Sequence, residues 1–410
     1  MGLQSMMGAV LRDRHRLPRF VNLAIDHVAD HPDGFWGRLA VRATGPVNAA
    51  DIPAPTPAPD APVRVYIGPT NYAGQGHEWA QALTRSSERI GAANMAVDVP
   101  GGFSFEADTV VPTGVYARSA EWQRAELDAV TRFSHVLFEA ERPLFGRLFG
   151  RDVRREAAEL RSRGLSIAMI GHGTDVRVPS RHAAATPWSP FLDDDLYTDK
   201  LERDAIANIA LLRELGASVF VSTPDLLDDV PWADWCPVVV DLDRWSLPRA
   251  SHDGPLRVVH APSKTKIKGT HLIEPVLERL HAEGVIAYRR IEGVPHAEMP
   301  GFFSEADVVL DQFRLGSYGV AACEAMAAGC VTVAHLLPHV REHIERATGG
   351  PAPLVEATPD SLETVLRGLA ADGDRRAALV SAGRDFVRLV HDGRMSAEVL
   401  RAGWIDRADG

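Results

Sequence analysis

Cysteine and lysine are the scarce residues of this chain. Three cysteines, Cys236, Cys323 and Cys330, in 410 residues supply neither a disulfide framework nor a cysteine-rich zinc site, and they suit a reducing compartment. No apolar run approaches the ~20 residues that span a bilayer. The opening MGLQSMMGAVLRDRHR turns polar and basic too early for a secretory signal. Residue 6 is methionine, where the myristoylation pattern needs serine or threonine. A cytoplasmic location is the expectation. Positive charge is in deficit: 44 basic against 55 acidic residues leave a net charge of −11, the wrong sign for a generic nucleic-acid binder. Lysine is rarer still. Lys200, Lys264, Lys266 and Lys268 are the only four, and the last three lie within five residues of one another.

What is present is ordinary for a soluble globular protein, 45% apolar and 24% charged. At a prior of about 150 residues per domain the length predicts two or three domains. Residues 1–45 mix apolar with basic positions at helical spacing, which reads as a helix packed on the domain that follows, with a membrane-surface helix as the alternative. Residues 46–62 hold six prolines and read as an extended linker.

From residue 63 short apolar runs alternate with longer helical patterns. Runs 63–68, 134–140, 165–171 and 218–223 read as buried strands, with helices over 77–86, 154–164 and 204–216 between them. A proline-containing stretch, 230–255, interrupts the rhythm. It then restarts with strands at 256–262, 285–291, 307–313 and 330–336 and helices at 270–284, 300–306 and 320–329. Apolar strands alternating with amphipathic helices predict parallel sheets covered on both faces. The expected architecture is α/β: an N-terminal extension and linker (1–62), then two Rossmann-like domains (63–245 and 246–410), the second closed by C-terminal helices.

Open α/β sheets bind ligands at the carboxyl ends of their strands, and four motifs fall there. G-P-T-N-Y-A-G-Q-G follows the first strand; Gly74 and Gly76 either let a ligand approach the backbone or merely permit the turn. G-H-G-T-D places His172 between glycines, exposed to a cleft, with Asp175 beside it. A-P-S-K-T-K-I-K-G-T offers Lys264, Lys266 and Lys268 to a diphosphate. In G-S-Y-G-V-A-A-C-E-A-M-A-A-G, Ser317 is the expected cap of a helix beginning near Gly319, and Glu324 is a lone carboxylate on an apolar helix that needs a partner such as ribose hydroxyls. The D-L-D at 241–243 lies away from the strand ends, and the D-D-D at 193–195 reads as a helix cap. No Cys/His spacing suggests a metal.

The second half resembles the donor domain of retaining GT-B glycosyltransferases of family 4. The likeness rests on S-K-T-K-I-K-G-T, E-G-V-P-H (292–296), S-E-A-D-V-V-L (304–310) and Y-G-V-A-A-C-E-A-M-A-A-G-C-V-T-V-A (318–334). A-G-Q-G and H-G-T-D resemble the acceptor domain more loosely. The resemblance implies a nucleotide-diphosphate-sugar donor, an unidentified acceptor and transfer with retention without a metal. Lys268 would hold the diphosphate with Lys264 or Lys266, and Glu324 the ribose. The amides of Tyr318, Gly319 and Val320 would face the phosphates, His172 the donor sugar, and Gly293 and Val294 the base. The family's first glutamate is here Gly316, and its arginine is Ser263. The missing glutamate implies an open pocket suited to a modified sugar, or replacement of its contacts by Ser317 or backbone amides. A sugar-nucleotide epimerase and a catalytically silent nucleotide-sugar-binding subunit are the competing readings.

Overall fold

The computed structural model describes residues 47–99, 105–193, 196–249 and 252–407; the helical reading of residues 1–45 lies outside them. The first sheet is built from Val63–Gly68 (β1), Ile90–Asp98 (β2), Thr109–Pro112 (β3), His135–Glu139 (β4), Ser166–Gly171 (β5), Ser218–Val221 (β6) and Asp234–Trp235 (β7), in the order β3-β2-β1-β4-β5-β6-β7. The second contains Leu256–His260 (β8), Ile286–Arg290 (β9), Val308–Leu310 (β10), Val331–Ala334 (β11) and Val355–Glu356 (β12), in the order β12-β11-β10-β8-β9. Every ladder is parallel, with Val65 opposite both Ala92 and His135, and Val309 opposite both Val259 and Thr332.

Each of the eight strand expectations coincides with a strand. Their sequences are continuously apolar because helices cover both faces of each sheet. The strands β2, β3, β7 and β12 lie outside those expectations: β2 is I-G-A-A-N-M-A-V-D, whose small residues and asparagine carry little β-signal, and β7 and β12 are two residues each. Among the helices are Gln75–Ser86 (α1), Ala120–Val130 (α2), Val153–Ser162 (α3), Thr198–Leu215 (α4), Thr270–Ala282 (α5), Val320–Ala327 (α6), Gly373–Val390 (α7) and Arg394–Leu400 (α8). In α1 the buried positions Gly76, Trp79, Ala80 and Leu83 recur at helical spacing and form the face laid on the sheet.

Two expectations about the ends of the chain need correction. The proline-rich segment is not a free linker. Thr56 is fully buried and donates through its amide (2.9 Å) and hydroxyl (2.7 Å) to the Glu126 carboxylate on α2, which also accepts from Tyr66 at 2.8 Å. The C-terminal helices do not all stay with the second sheet. After α7 the chain returns, and Ala397, Leu400, Trp404 and Ile405 share a core with Val65, Ile67 and Trp79. Trp404 Nε1 donates to Ser166 Oγ at 2.9 Å.

Two of the contacts that join the halves are buried. His391 donates through Nδ1 to the Val238 carbonyl at 2.7 Å, and its Nε2 lies 3.0 Å from the Tyr318 hydroxyl. The Gln75 amide pairs with both backbone groups of Val239, at 2.6 and 3.0 Å.

Candidate active site

In a doubly wound sheet the crevice opens where the strand order reverses, between loops that leave in opposite directions. In the first sheet that point lies between β1 and β4, and in the second between β8 and β10. Each holds a buried carboxylate at the end of a strand. Glu139, which ends β4, is 0% exposed and accepts from the amides of Thr70 (3.0 Å) and Asn71 (3.0 and 3.2 Å) in the loop after β1. Asp311 follows β10; its side chain is 1% exposed, ion-paired with Lys268, and accepts from the Gly319 amide at 3.3 Å.

His172 sits beside the first carboxylate. Its Nε2 has no hydrogen-bond partner and lies 3.4 Å from Glu139 Oε1, and the ring packs against Tyr72 and Trp79 at centroid distances of 5.3 and 5.5 Å. The exposure expected from its flanking glycines is not found, since the side chain is 7% exposed. Those glycines serve the turn: Asp175 accepts from the His172 amide at 2.7 Å and from the Gly173 amide. Asp175 also faces Glu141, whose carboxyl burial pushes well above its ordinary value, with Asp175 adding to the shift. Asp175 therefore shapes the loop from within. Gly76 also gains a reason, because a Cβ there would stand 3.1 Å from both Glu139 oxygens. Its close approach is to a carboxylate of the chain itself.

A pocket opens between the halves. Gly74, His77, Glu78, Phe105 and Glu106 line it from the first half, Asp241, Arg244 and Trp245 from the connector, and His296, Val320 and Glu324 from the second. Gly74, with φ +78°, turns the loop into this space. The lining is rich in carboxylates, and Glu78 is pushed upward by burial and by its neighbours Asp241 and Glu106 against the opposing pull of His77. Such walls suit hydroxyl or amide donors better than phosphate. Helix α6 begins at this pocket with Gly319 before it and no side-chain cap; the Ala322 amide already donates to the Gly319 carbonyl, which leaves the Val320 and Ala321 amides for an anion.

No protein-family model and no curated protein sequence matches the chain. Solved structures do. A sucrose-phosphate synthase from Thermosynechococcus elongatus superposes with a TM-score of 0.52 at 13% identity over 82% of this chain and 97% of that one. A trehalose-6-phosphate synthase gives 0.52 at 10% identity over 83% and 98%.

The fold is GT-B.

Within this GT-B frame the anticipated residues separate into three groups. Gly74, Val320 and Glu324 meet in the pocket between the halves. Lys268 and Gly319 meet at Asp311, so the lysine is engaged by the chain and does not stand bare in the cleft. Lys264, which precedes the short helical turn Thr265–Lys268, and Lys266 within it are both exposed. Lys266 lines a different, outward cavity with Asp193, Thr270, His271, Glu274 and Arg290. Gly293 is exposed with φ +69°, and Val294 is half-buried against the second core. Tyr318 is buried on His391, and Ser317 is buried without capping α6.

Gly316 overturns one expectation outright. Its φ is +64°, and a Cβ would fall 2.3 Å from Leu337 Cγ. The space attributed to a missing glutamate is filled by leucine. Asp193, read as a helix cap, instead pairs with Arg314 of the second half at 2.6 and 2.8 Å.

Sequence reasoning passed over Glu139, Asp311, Arg244 and His296. The first two carried a usable signal, since each is a carboxylate at the carboxyl end of an apolar parallel strand. Among the described residues no helix is long and apolar enough to cross a membrane.

Proposed function

We propose that the protein is a glycosyltransferase that moves a sugar from a nucleotide-diphosphate donor to an acceptor held by its first half, with retention of anomeric configuration. The observation that carries this reading is the pocket between two GT-B halves, where the uncapped start of α6 and Glu324 face the Gly74 loop. The diphosphate sits at the α6 amides with Lys268 beside it, so that helix dipole and ammonium together stabilise the charge released on the leaving group. In this reading Lys268 and the α6 amides take the neutralising role, and no metal is called for. The ribose donates to Glu324, and Gly293 and Val294 border the base. His172, packed beside Glu139 with its Nε2 unpartnered, is the first-half group this reading assigns to the donor sugar. The trehalose-6-phosphate synthase of the same fold, described in terms of glycosyl transfer with retention, supports the stereochemical outcome. We infer a cytoplasmic location for this reaction.

The test is calorimetric titration with a panel of nucleotide sugars, followed by donor hydrolysis without acceptor. Binding and slow hydrolysis of one donor are expected. Because His172 and the diphosphate site belong to different halves, His172→Ala should lower turnover by ~100-fold, the scale of losing one positioned polar group at a reacting centre, while the affinity for the nucleoside diphosphate changes less than twofold. Interconversion of epimers, or binding without hydrolysis, would replace the proposal with one of the two competing readings.

A further inference from the structure

Glu324 is not a bare carboxylate waiting for a ligand. Its side chain is 8% exposed, on a helix whose other buried residues are Ala322, Cys323, Ala325, Met326 and Ala327, and Oε1 lies 2.6 Å from His296 Nε2. The opposite ring nitrogen, Nδ1, lies 3.3 Å from Arg244 Nη2. A guanidinium has donors only, so Nδ1 must accept. The proton of the neutral imidazole is thereby fixed on Nε2, where it is donated to Glu324. The ring plane is held as well, with Phe105 at 5.0 Å and Trp245 at 5.7 Å between centroids. Arg244 and Trp245 come from a short helix over Leu242–Trp245 that Asp241 caps, accepting from the Asp243 amide at 3.0 Å and the Arg244 amide at 3.4 Å.

We propose that His296, set in one tautomer by Arg244, is the positioning residue for Glu324 and gives the site its preference for a ribonucleotide donor. This rests on the reading above that Glu324 meets the ribose. A free glutamate samples several rotamers, and freezing them costs part of any hydrogen bond it makes to a ligand. Here Oε1 is tied to His296, so the carboxylate is already frozen before a ligand arrives. Among the described residues no protein donor reaches Oε2, which is left for a ligand hydroxyl at the pocket wall. A ribose offers two adjacent hydroxyls to that oxygen and a 2′-deoxyribose only one. The D-L-D that begins at Asp241 thereby acquires a role as the cap of the helix that carries the arginine.

The experiment titrates the full chain with UDP, GDP, ADP and CDP and with the 2′-deoxy counterpart of each. For the nucleotide that binds, a preference for ribose of about tenfold is expected, the scale of one hydrogen bond to a charged group. His296→Ala should abolish this preference, lowering the affinity of the ribose form more than that of the deoxy form, which has one hydroxyl fewer to lose, and His296→Gln, whose amide can still donate, should retain part of it. Glu324→Ala should abolish it equally, and the double variant should lose no more. Arg244→Met, which frees the tautomer, should lower the preference with His296 still in place, and with His296→Gln it carries the test if His296→Ala does not fold. A preference that survives His296→Ala or Arg244→Met but disappears in Glu324→Ala overturns the positioning role and spares the ribose reading. A preference that survives Glu324→Ala, or is absent from the unmodified protein, overturns the ribose reading itself.

Discussion

Lys268 and Asp311 form an ion pair at the strand-order reversal of the second sheet, with the lysine side chain 13% and the aspartate 1% exposed. The pair has two consequences. It holds the loop after β8 against the loop after β10, and it brings a positive charge to the start of α6 already oriented. Structural and functional roles therefore coincide in one residue, and a single substitution cannot separate them.

Lys268→Ala leaves Asp311 buried and unpaired, which should cost ~3 kcal/mol, the lower end for breaking a buried pair because the lysine keeps some contact with water. Donor affinity should fall as well. Lys268→Met combined with Asp311→Asn removes both charges, and it should recover most of the lost stability without recovering the affinity. Denaturant unfolding and nucleotide titration of the two variants check this. Recovery of both properties in the double variant would show that the lysine does nothing for the donor.

Gly316→Glu should not create a glutamate-type sugar contact. The new side chain meets Leu337 at 2.3 Å from Cγ and takes a positive φ of +64°, and strain and overpacking together should cost about 2–4 kcal/mol. A thermal melt reports the loss, and activity should fall with every donor alike. Adding Leu337→Ala should relieve part of the clash and restore part of the stability. A Gly316→Glu protein as stable as the original would contradict the packing described here.

Three buried histidines set the acid limb of stability. His182, His260 and His391 are each pushed down to about 4, in every case chiefly by burial. Unfolded, they titrate near 6.5. Between those values the unfolded chain binds more protons than the native one, so stability rises with pH across this window and is lost as pH falls through it. Glu156 acts in the opposite sense. Burial lifts it to about 8 despite the amides of Leu144 and Phe145 that it accepts from, so its contribution is present at low pH and declines from its unfolded value near 4.5 up to about 8. Unfolding free energies measured from pH 4 to 9 should show a maximum between the limbs. His260→Gln should reduce the acid slope by one proton, ~1.4 kcal/mol per pH unit. An unchanged slope would mean that His260 is not neutral in the native state.

Eight of the twelve described strands, their parallel pairing and the loops that carry the site were legible in the sequence, because they follow from local pattern. A run such as V-R-V-Y-I-G is buried on both faces and ends in glycine wherever it lies in space, and ligands gather at the carboxyl ends of such strands. Glu324 was legible for a related reason: a carboxylate on an apolar helix demands a partner. The identity of the partner was not. His296 lies 28 residues before Glu324, Asp311 lies 43 after Lys268, and Glu139 lies 68 after Asn71. The fold alone brings these pairs to hydrogen-bonding distance. The same holds for Gly316, whose missing side chain reads as a vacancy until Leu337, 21 residues on, is found packed against it. Periodicity and residue type determined which segments form the sheets and where the loops emerge. Tertiary packing decided which charges are paired, which spaces are full and which histidine fixes the carboxylate, because those depend on distances between residues that share no local pattern.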